Sequence, residues 1–308
     1  MTMTEIQRDS FYIPSQPAMY CDRLWSTEID DKPPLVLVHG AGHTGACYLQ
    51  TPDGRPGWAQ YFAAAGHEVY VPDWPNMGRS GRMDPTQLTG DIVAAALGAL
   101  LETLDRPAVL LTHSMSGAYG WKALETHARC LKAVIGVAAS APGNIESVPD
   151  VLEDGDDYIV VRRGAFERRV EKSRPRGFDD KIIDEKLVGA GSTQFPRSAM
   201  AAYKNSLTET PPRLAWERSN IEGSQIRLEN FAAMKGVPIL LVTAEADLDH
   251  TRESDQAIVD FFVGKGLTAE LCYLPEQGIT GNGHMMMLEK NSDDIAALIA
   301  AWIDRLPA

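Results

Sequence analysis

Leu110–Gly120 reads LLTHSMSGAYG. Its lead-in, Ala108–Leu111, is a short apolar run of strand length, and Ser116–His127 has helix spacing. A strand that turns sharply into a helix at a serine lifts that serine's hydroxyl above a sheet, where it can act as a nucleophile. Ser114 is the serine here. The residues two before and two after it nearly touch, so the usual pattern has glycine at both places. Thr112 and Ser116 stand there instead. Ser116 is small, but the branched Cβ of Thr112 needs room. The bland alternative is a serine that only caps the next helix. The placement of strand, turn and helix favours the nucleophile.

Outward from this turn, short apolar runs alternate with helix-length segments. Leu35–Val38, Val69–Val71, Ala133–Ala138, Ile239–Val242 and Glu270–Leu274 read as strands. Leu88–Leu104, Glu253–Val263 and Ile295–Ile303 read as helices, and Asp84 followed by Pro85 suits a helix start shortly before the first. This rhythm predicts an α/β fold, a mostly parallel sheet with helices on both faces. Strands that are apolar throughout, without alternation, agree with it.

One stretch breaks the rhythm. From about Pro142 to Phe231 the chain is charged, lacks a clear strand, and is too long for a loop. It reads as a helical lid inserted between two sheet strands. The expected organisation is then a sheet domain in two parts, residues 1–141 and 232–308, with the lid at 142–231. The flanking strands should supply their own core, so the lid is expected to be removable. Within it, VVRRGAFERRVEKSRPRGFDDK carries Arg162, Arg163, Arg168, Arg169, Lys172, Arg174 and Arg176. This run suits an anionic substrate or, more ordinarily, a solvated helix face.

Two further segments carry chemistry. LVLVHGAGHTGACY, Leu35–Tyr48, ends a strand in His-Gly-Ala-Gly. A backbone N–H at such a strand end, with that of the residue after the nucleophile, forms an oxyanion hole. Ala41 and Met115 are the expected donors, with Gly42 close behind. His39 is expected to hydrogen-bond the loop backbone and His43 to line the pocket. GITGNGHMMMLEKNS, Gly278–Ser292, presents His284 on a glycine-rich loop late in the chain. Glycines there give a base freedom to meet Ser114. A lone histidine is often only a surface or core residue, but the order serine, acid, histidine favours His284 as the base. The acid is sought in TAEADLDH, after the strand Ile239–Val242: Asp247 is the first choice, with Glu245 and Asp249 as neighbours.

The 308 residues carry a formal charge of −13, which repels phosphate backbones and argues against nucleic acid. Cys21, Cys47, Cys130 and Cys272 are scattered, so no zinc site is indicated and reduced thiols of a cytoplasmic protein are expected. The amino terminus has no basic and apolar leader, and no run is long enough for a membrane span. Neither a metal nor an organic cofactor is implied. A homodimer is allowed but not required. Tyr48, Trp58, Trp74, Tyr119 and Met285, with Gly42, His43 and Met115, are candidates to line an apolar substrate pocket. The large side chains among them are equally suited to core packing.

HGAGHTGACYLQTPDGRPGWAQYFAAAGHEVYVPDWPNMGRSGR resembles a bacterial esterase family of the α/β-hydrolase superfamily. That family shows a Gly-His-Ser-Gln-Ser-Gly turn, similar to Thr112–Gly117, and a GNGHMMMLEKN segment, which Gly281–Asn291 matches almost letter for letter. The resemblance covers most of the sheet domain and none of the insertion. It implies an α/β-hydrolase fold and hydrolysis of a carboxylic ester or lactone on Ser114. One departure stands out. The family's acid is a glutamate in a Glu-Pro context after the strand preceding the insertion, where this chain has Ala141 before Pro142, and the family tends to have serine at the position of Asp247. Asp247 is therefore preferred, with Glu146 as the fallback. Amide, carbamate or carbon–carbon hydrolysis uses the same serine. A non-catalytic ligand-binding member of the fold is the remaining alternative.

Overall fold

The computed structural model describes residues 5–26, 31–163 and 166–307. Residues 1–4 of the amino-terminal stretch and 164–165 of the arginine-rich run lie outside them. The chain opens with β1 (Ile6–Ile13), β2 (Met19–Ser26) and β3 (Leu35–Val38), then α1 (Ala46–Leu49), α2 (Trp58–Ala64) and β4 (Val69–Pro72). It continues through α3 (Gly90–Glu102), β5 (Ala108–His113), α4 (Ser116–His127) and β6 (Leu131–Val137). After the insertion come β10 (Ile239–Thr243), α8 (Arg252–Gly264), β11 (Ala269–Tyr273) and α9 (Ser292–Ile303).

Eight strands form one sheet in the order β1-β2-β4-β3-β5-β6-β10-β11. Only β2 runs against its neighbours; all the other pairings are parallel. The α/β architecture expected from the apolar rhythm is what forms. β1 and β2 were not expected, because their sequences, IQRDSFYI and MYCDRLWS, mix charge with apolar residues. β1 is exposed over its middle, and the buried Asp22 of β2 is paired with Arg8 and Arg79 at 2.9 Å each. Central β5 is buried along its whole length: Leu110 faces one core cluster, with Trp121 and Phe262, while Val109 and Leu111 face the other, with Trp58 and Ile299. α3 starts later than the Asp84-Pro85 pair suggested. Thr89 is its cap, accepting from the Ile92 N–H, and Asp84 instead closes a turn onto Thr86.

The insertion between β6 and β10 corrects the expectation of a purely helical segment. Three antiparallel strands come first: β7 (Asp150–Asp154), β8 (Tyr158–Arg163) and β9 (Phe166–Glu171). Only short helices follow: α5 (Asp180–Ile182), running into a π-helical turn, then α6 (Met200–Ser206) and α7 (Pro212–Arg218). The sign missed was a period of two. Along β9, Arg168 and Val170 turn inward while Glu167 and Arg169 are exposed, the mark of a strand with one solvent face. The insertion is also stitched into the sheet's core. Ile183, Leu187, Val188, Phe195 and Tyr203 share a cluster with Leu37 and Met285. Leu214, Ile226 and Leu228 join the cluster on the other face.

Candidate active site

Ser114 sits at the β5–α4 turn with φ of +54°, a left-handed conformation uncommon for a residue with a Cβ. Such a residue stores about 1–3 kcal/mol and persists only where its surroundings hold it. Here its N–H donates to the Val137 carbonyl (3.1 Å), and its own carbonyl accepts from Gly117 and Ser140 (2.9 Å each). Gly117 is needed for that packing, since a Cβ there would lie 2.6 Å from the Ser140 nitrogen. The room that Thr112 needs comes from Gly120, one turn into α4: a Cβ on Gly120 would stand 2.6 Å from Thr112 Cγ2. Ser116 uses its hydroxyl as a brace. Its Oγ accepts from the His113 N–H (2.9 Å) and lies within donating distance of the His113 and Val38 carbonyls (2.8 and 3.1 Å).

His284 Nδ1 lies 2.6 Å from Asp247 Oδ2. Both side chains are nearly fully buried. Asp247 Oδ1 accepts from the backbone N–H groups of Asp249 and His250 (2.9 and 3.1 Å). Burial alone would raise the Asp247 carboxyl, but the charge and hydrogen bond of His284, with His250 and the backbone donors, hold it below the usual carboxylate range. With Asp247 ionised, His284 Nδ1 carries the hydrogen, which leaves Nε2 as the ring's basic atom. The two competing acids are occupied elsewhere. Asp249 pairs with Lys186 (2.7 Å), and Glu146 with Arg163 (2.5 Å). Glu245 accepts from the Gly281 N–H at the start of the histidine loop.

That loop is held by close packing and hydrogen bonds, and its glycines supply the backbone conformations that this needs. A Cβ on Gly283 would lie 1.9 Å from the Val188 carbonyl, so the glycine permits close approach of the insertion. Gly281 has φ of +78°. Glu289 accepts from Gly283 N–H (2.8 Å), Ser192 Oγ (2.7 Å) and Asn282 Nδ2. His113 adds a further hold: its Nε2 lies 3.1 Å from the His284 carbonyl. Burial keeps His113 neutral, its pKa well below the usual histidine value, so Nε2 donates.

On the opposite wall, His43 Nδ1 meets the Ala41 carbonyl at 2.7 Å and its Nε2 meets the Tyr203 hydroxyl at 3.1 Å. Burial pushes His43 down to about 3, so it stays neutral, donating to Ala41 and accepting from Tyr203. His39, pushed down to about 4 by burial, reaches the Gly40 carbonyl and accepts from the Trp74 N–H. Both histidines brace the loop that presents Ala41. Among the described residues no acceptor takes the backbone hydrogen of Ala41 or of Met115.

Ser114, His284, Ala41, Met115 and His43 line one cavity. The other pocket candidates do not. Tyr48, Trp74, Tyr119 and Met285 are buried in the two core clusters, and Gly42 lies off the lining under Phe178. Closeness in sequence to a motif put these side chains next to the sheet, and their size then took them into its packing. Apart from His113 and Asp249, the rest of the cavity wall comes from the insertion, notably Arg168, Arg176, Phe178, Lys186 and Arg218. Only the arginine-rich run hinted at this. His250 was missed altogether. Its ring stacks on His284 (5.4 Å between centroids, 21° between planes), and its Nδ1 faces buried Asp255 at 3.4 Å. Among the described residues no group of His, Cys, Asp and Glu is arranged to hold a metal ion.

Residues 35–298 match the model of a family described as the alpha/beta hydrolase family. The chain is 27% identical to "Probable secreted lipase phiG" of Fungal sp. (strain ATCC 74256), over 88% of this chain and 82% of that one. In fold it is similar to a novel bacterial esterase, with a TM-score of 0.62 at 18% identity over 99% of this chain and 98% of that chain. It is also similar to CarC, a serine hydrolase involved in carbazole degradation, with a TM-score of 0.63 at 14% identity over 97% and 99% of the two chains. At these identities the structural likeness speaks to fold alone.

Proposed function

The chain belongs to the alpha/beta hydrolase family, and from that premise we propose that it hydrolyses a carboxylic ester or lactone through an acyl-enzyme on Ser114. The observation that carries this reading is the 2.6 Å contact between buried Asp247 and His284, the latter lining the same cavity as Ser114, Ala41 and Met115. Ser114 Oγ attacks the carbonyl carbon while its proton passes to His284 Nε2. The oxyanion that forms takes hydrogen bonds from the Ala41 and Met115 N–H groups, each such donor contributing about 3 kcal/mol. The intermediate collapses, the alcohol leaves with the proton from His284, and the acyl group stays on Ser114. Water then attacks, giving its proton to His284, and the acid departs as Ser114 regains its hydrogen. Asp247 holds the ring and its tautomer throughout.

Residues 142–231 are the lid of this site in the same reading, supported by the insertion side chains on the cavity wall. Its substrate is a small molecule, and its compartment is the cytoplasm. Four unpaired cysteines support a reducing compartment, and no described helix is long and apolar enough to cross a membrane. The fungal relative is described as secreted, so cell fractionation is the check on this part. The test of the chemistry is a screen of p-nitrophenyl esters, lactones and amides against wild type and Ser114→Ala. Ester or lactone turnover that disappears in Ser114→Ala supports the reading. Turnover confined to amides, or retained in the variant, contradicts it.

A further inference from the structure

The cavity over Ser114 is positively charged in an acidic protein. Arg168, Arg176, Arg218 and Lys186 all line it, against one lining carboxylate, Asp249. Lys186 is paired with Asp249 at 2.7 Å, and Arg218 lies 3.9 Å from Glu146. Arg168 and Arg176 differ from these two. Among the described residues, neither has a carboxylate within 4.0 Å. Arg168 makes one hydrogen bond to a neutral partner, from Nη1 to Ser219 Oγ at 3.2 Å, and Arg176 stands 5.9 Å from the Phe178 ring. Both are part-buried. Burial, then the neighbouring Arg176 and Arg218 charges, push Arg168 down to about 9; burial likewise lowers Arg176. A guanidinium remains charged at neutral pH regardless, so the site holds mutually repelling cations whose carboxylate neighbours, Asp249 and, for Arg176, also Asp179, act from beyond ion-pair distance. Partly desolvated charge left unpaired is unfavourable. The overall charge of −13 makes the concentration of cations at this one opening the more specific.

We propose that the substrate cleaved at Ser114 carries a second, anionic group, a carboxylate or a phosphate, that docks on Arg168 and Arg176, with Arg218 and Lys186 beside them. This deepens the hydrolase reading and rests on it. A carboxylate, or two oxygens of a tetrahedral phosphate, matches the guanidinium fork and gains charge-assisted hydrogen bonds there. Placing these arginines on the insertion makes it the part of the molecule that selects substrate, while the sheet performs the reaction.

The test compares three p-nitrophenyl esters of matched chain length: hexanoate, hydrogen adipate and 6-phosphonohexanoate. Wild type should favour at least one anionic ester over hexanoate by about 10-fold or more in kcat/KM, and the better of the two identifies carboxylate or phosphate. Arg168→Gln and Arg176→Gln should each lower that ratio about 10-fold, with the loss mainly in KM. Arg168→Lys and Arg176→Lys keep the charge without the fork and should fall between. Calorimetry of free adipate and inorganic phosphate with Ser114→Ala adds a binding readout that needs no turnover. A wild-type ratio near one, or an equal fall for charged and neutral esters in the Gln variants, overturns the proposal. If hexanoate turnover requires Ser114 while the ratio stays flat, only the anion inference fails. Turnover of these esters that survives Ser114→Ala means the hydrolase reading itself fails.

Discussion

The parallel sheet and the insertion contribute to one cavity in different ways. Ala41, Ser114 and Asp247 follow the carboxyl ends of β3, β5 and β10, strands whose residues are buried throughout. Arg168, Arg176 and Arg218 sit on β9, on a loop and at the end of α7, in a segment with short elements and one solvent face. The difference is one of tolerance. Reacting groups must be held to fractions of an ångström, and the residues we propose for that role stand on backbone fixed by packing from both sides. A charged anchor for a distant part of a substrate acts over a longer range, and a less regular arm suffices for it.

If the division holds, substitutions in the sheet destroy turnover of all substrates, and substitutions in the insertion redistribute turnover among them. The largest effect expected is from Ser114→Ala, which should lower kcat by about 10⁵–10⁶-fold on every ester. Its thermal unfolding should be unchanged or slightly improved, because the strained φ of +54° is retained with a smaller side chain. Next, Asp247→Asn should lower kcat by about 10⁴-fold through loss of the acceptor that fixes the His284 tautomer. Glu146→Gln should leave kcat within about 3-fold, since Glu146 serves Arg163 in the insertion. Steady-state kinetics on one ester reads both, and a reversed order would move the acid from the sheet to the insertion.

A smaller effect sharpens the account of the turn itself. Gly120→Ala should destabilise by about 1–3 kcal/mol, because its Cβ meets Thr112 Cγ2 at 2.6 Å. Adding Thr112→Ala should recover most of that loss in urea unfolding, whereas an additive double variant would mean that the two residues do not compensate. The smallest effect is a pH dependence. Burial alone would lower His250, but the Asp255 hydrogen bond and the charges of Asp247 and Asp255 outweigh it and raise the ring above its ordinary value. A raised folded-state pKa gives stability that is fully present below the unfolded value of about 6.5 and is lost as pH rises through the folded value. The stability gap between wild type and His250→Gln should therefore be widest below about pH 6.5 and narrow above it. A gap independent of pH would make His250 a packing residue only.

How far these regions were legible in the sequence follows the same division. β5 and α4 announce themselves because every β5 side chain is buried, so the strand opens on a continuous apolar run, Ala108–Leu111, that ends two residues short of the serine. Asp247 and His284, which the structure brings together at 2.6 Å, were singled out because each follows a recognisable strand or glycine loop. Thr112 looked like a defect since its compensation, Gly120, is eight positions away and meets it only once α4 is wound. β9 was hidden because an arginine, Arg168, stands beside Val170 on its inward face, so the apolar alternation was broken. His250 was hidden because nothing local distinguishes a loop histidine that will stack on another. The aromatic pocket candidates failed for a related reason: sequence neighbourhood does not say which face of the sheet a side chain takes.

The central claim is that Ser114 is a nucleophile activated by the Asp247–His284 pair. Intact-mass spectrometry after treatment with a fluorophosphonate, followed by peptide mapping, tests it most directly. The account predicts one adduct on wild type, mapped to Ser114, with labelling slowed at least 100-fold in Asp247→Asn and absent in Ser114→Ala. An adduct on another residue, or labelling that persists in Ser114→Ala at the wild-type rate, would contradict it.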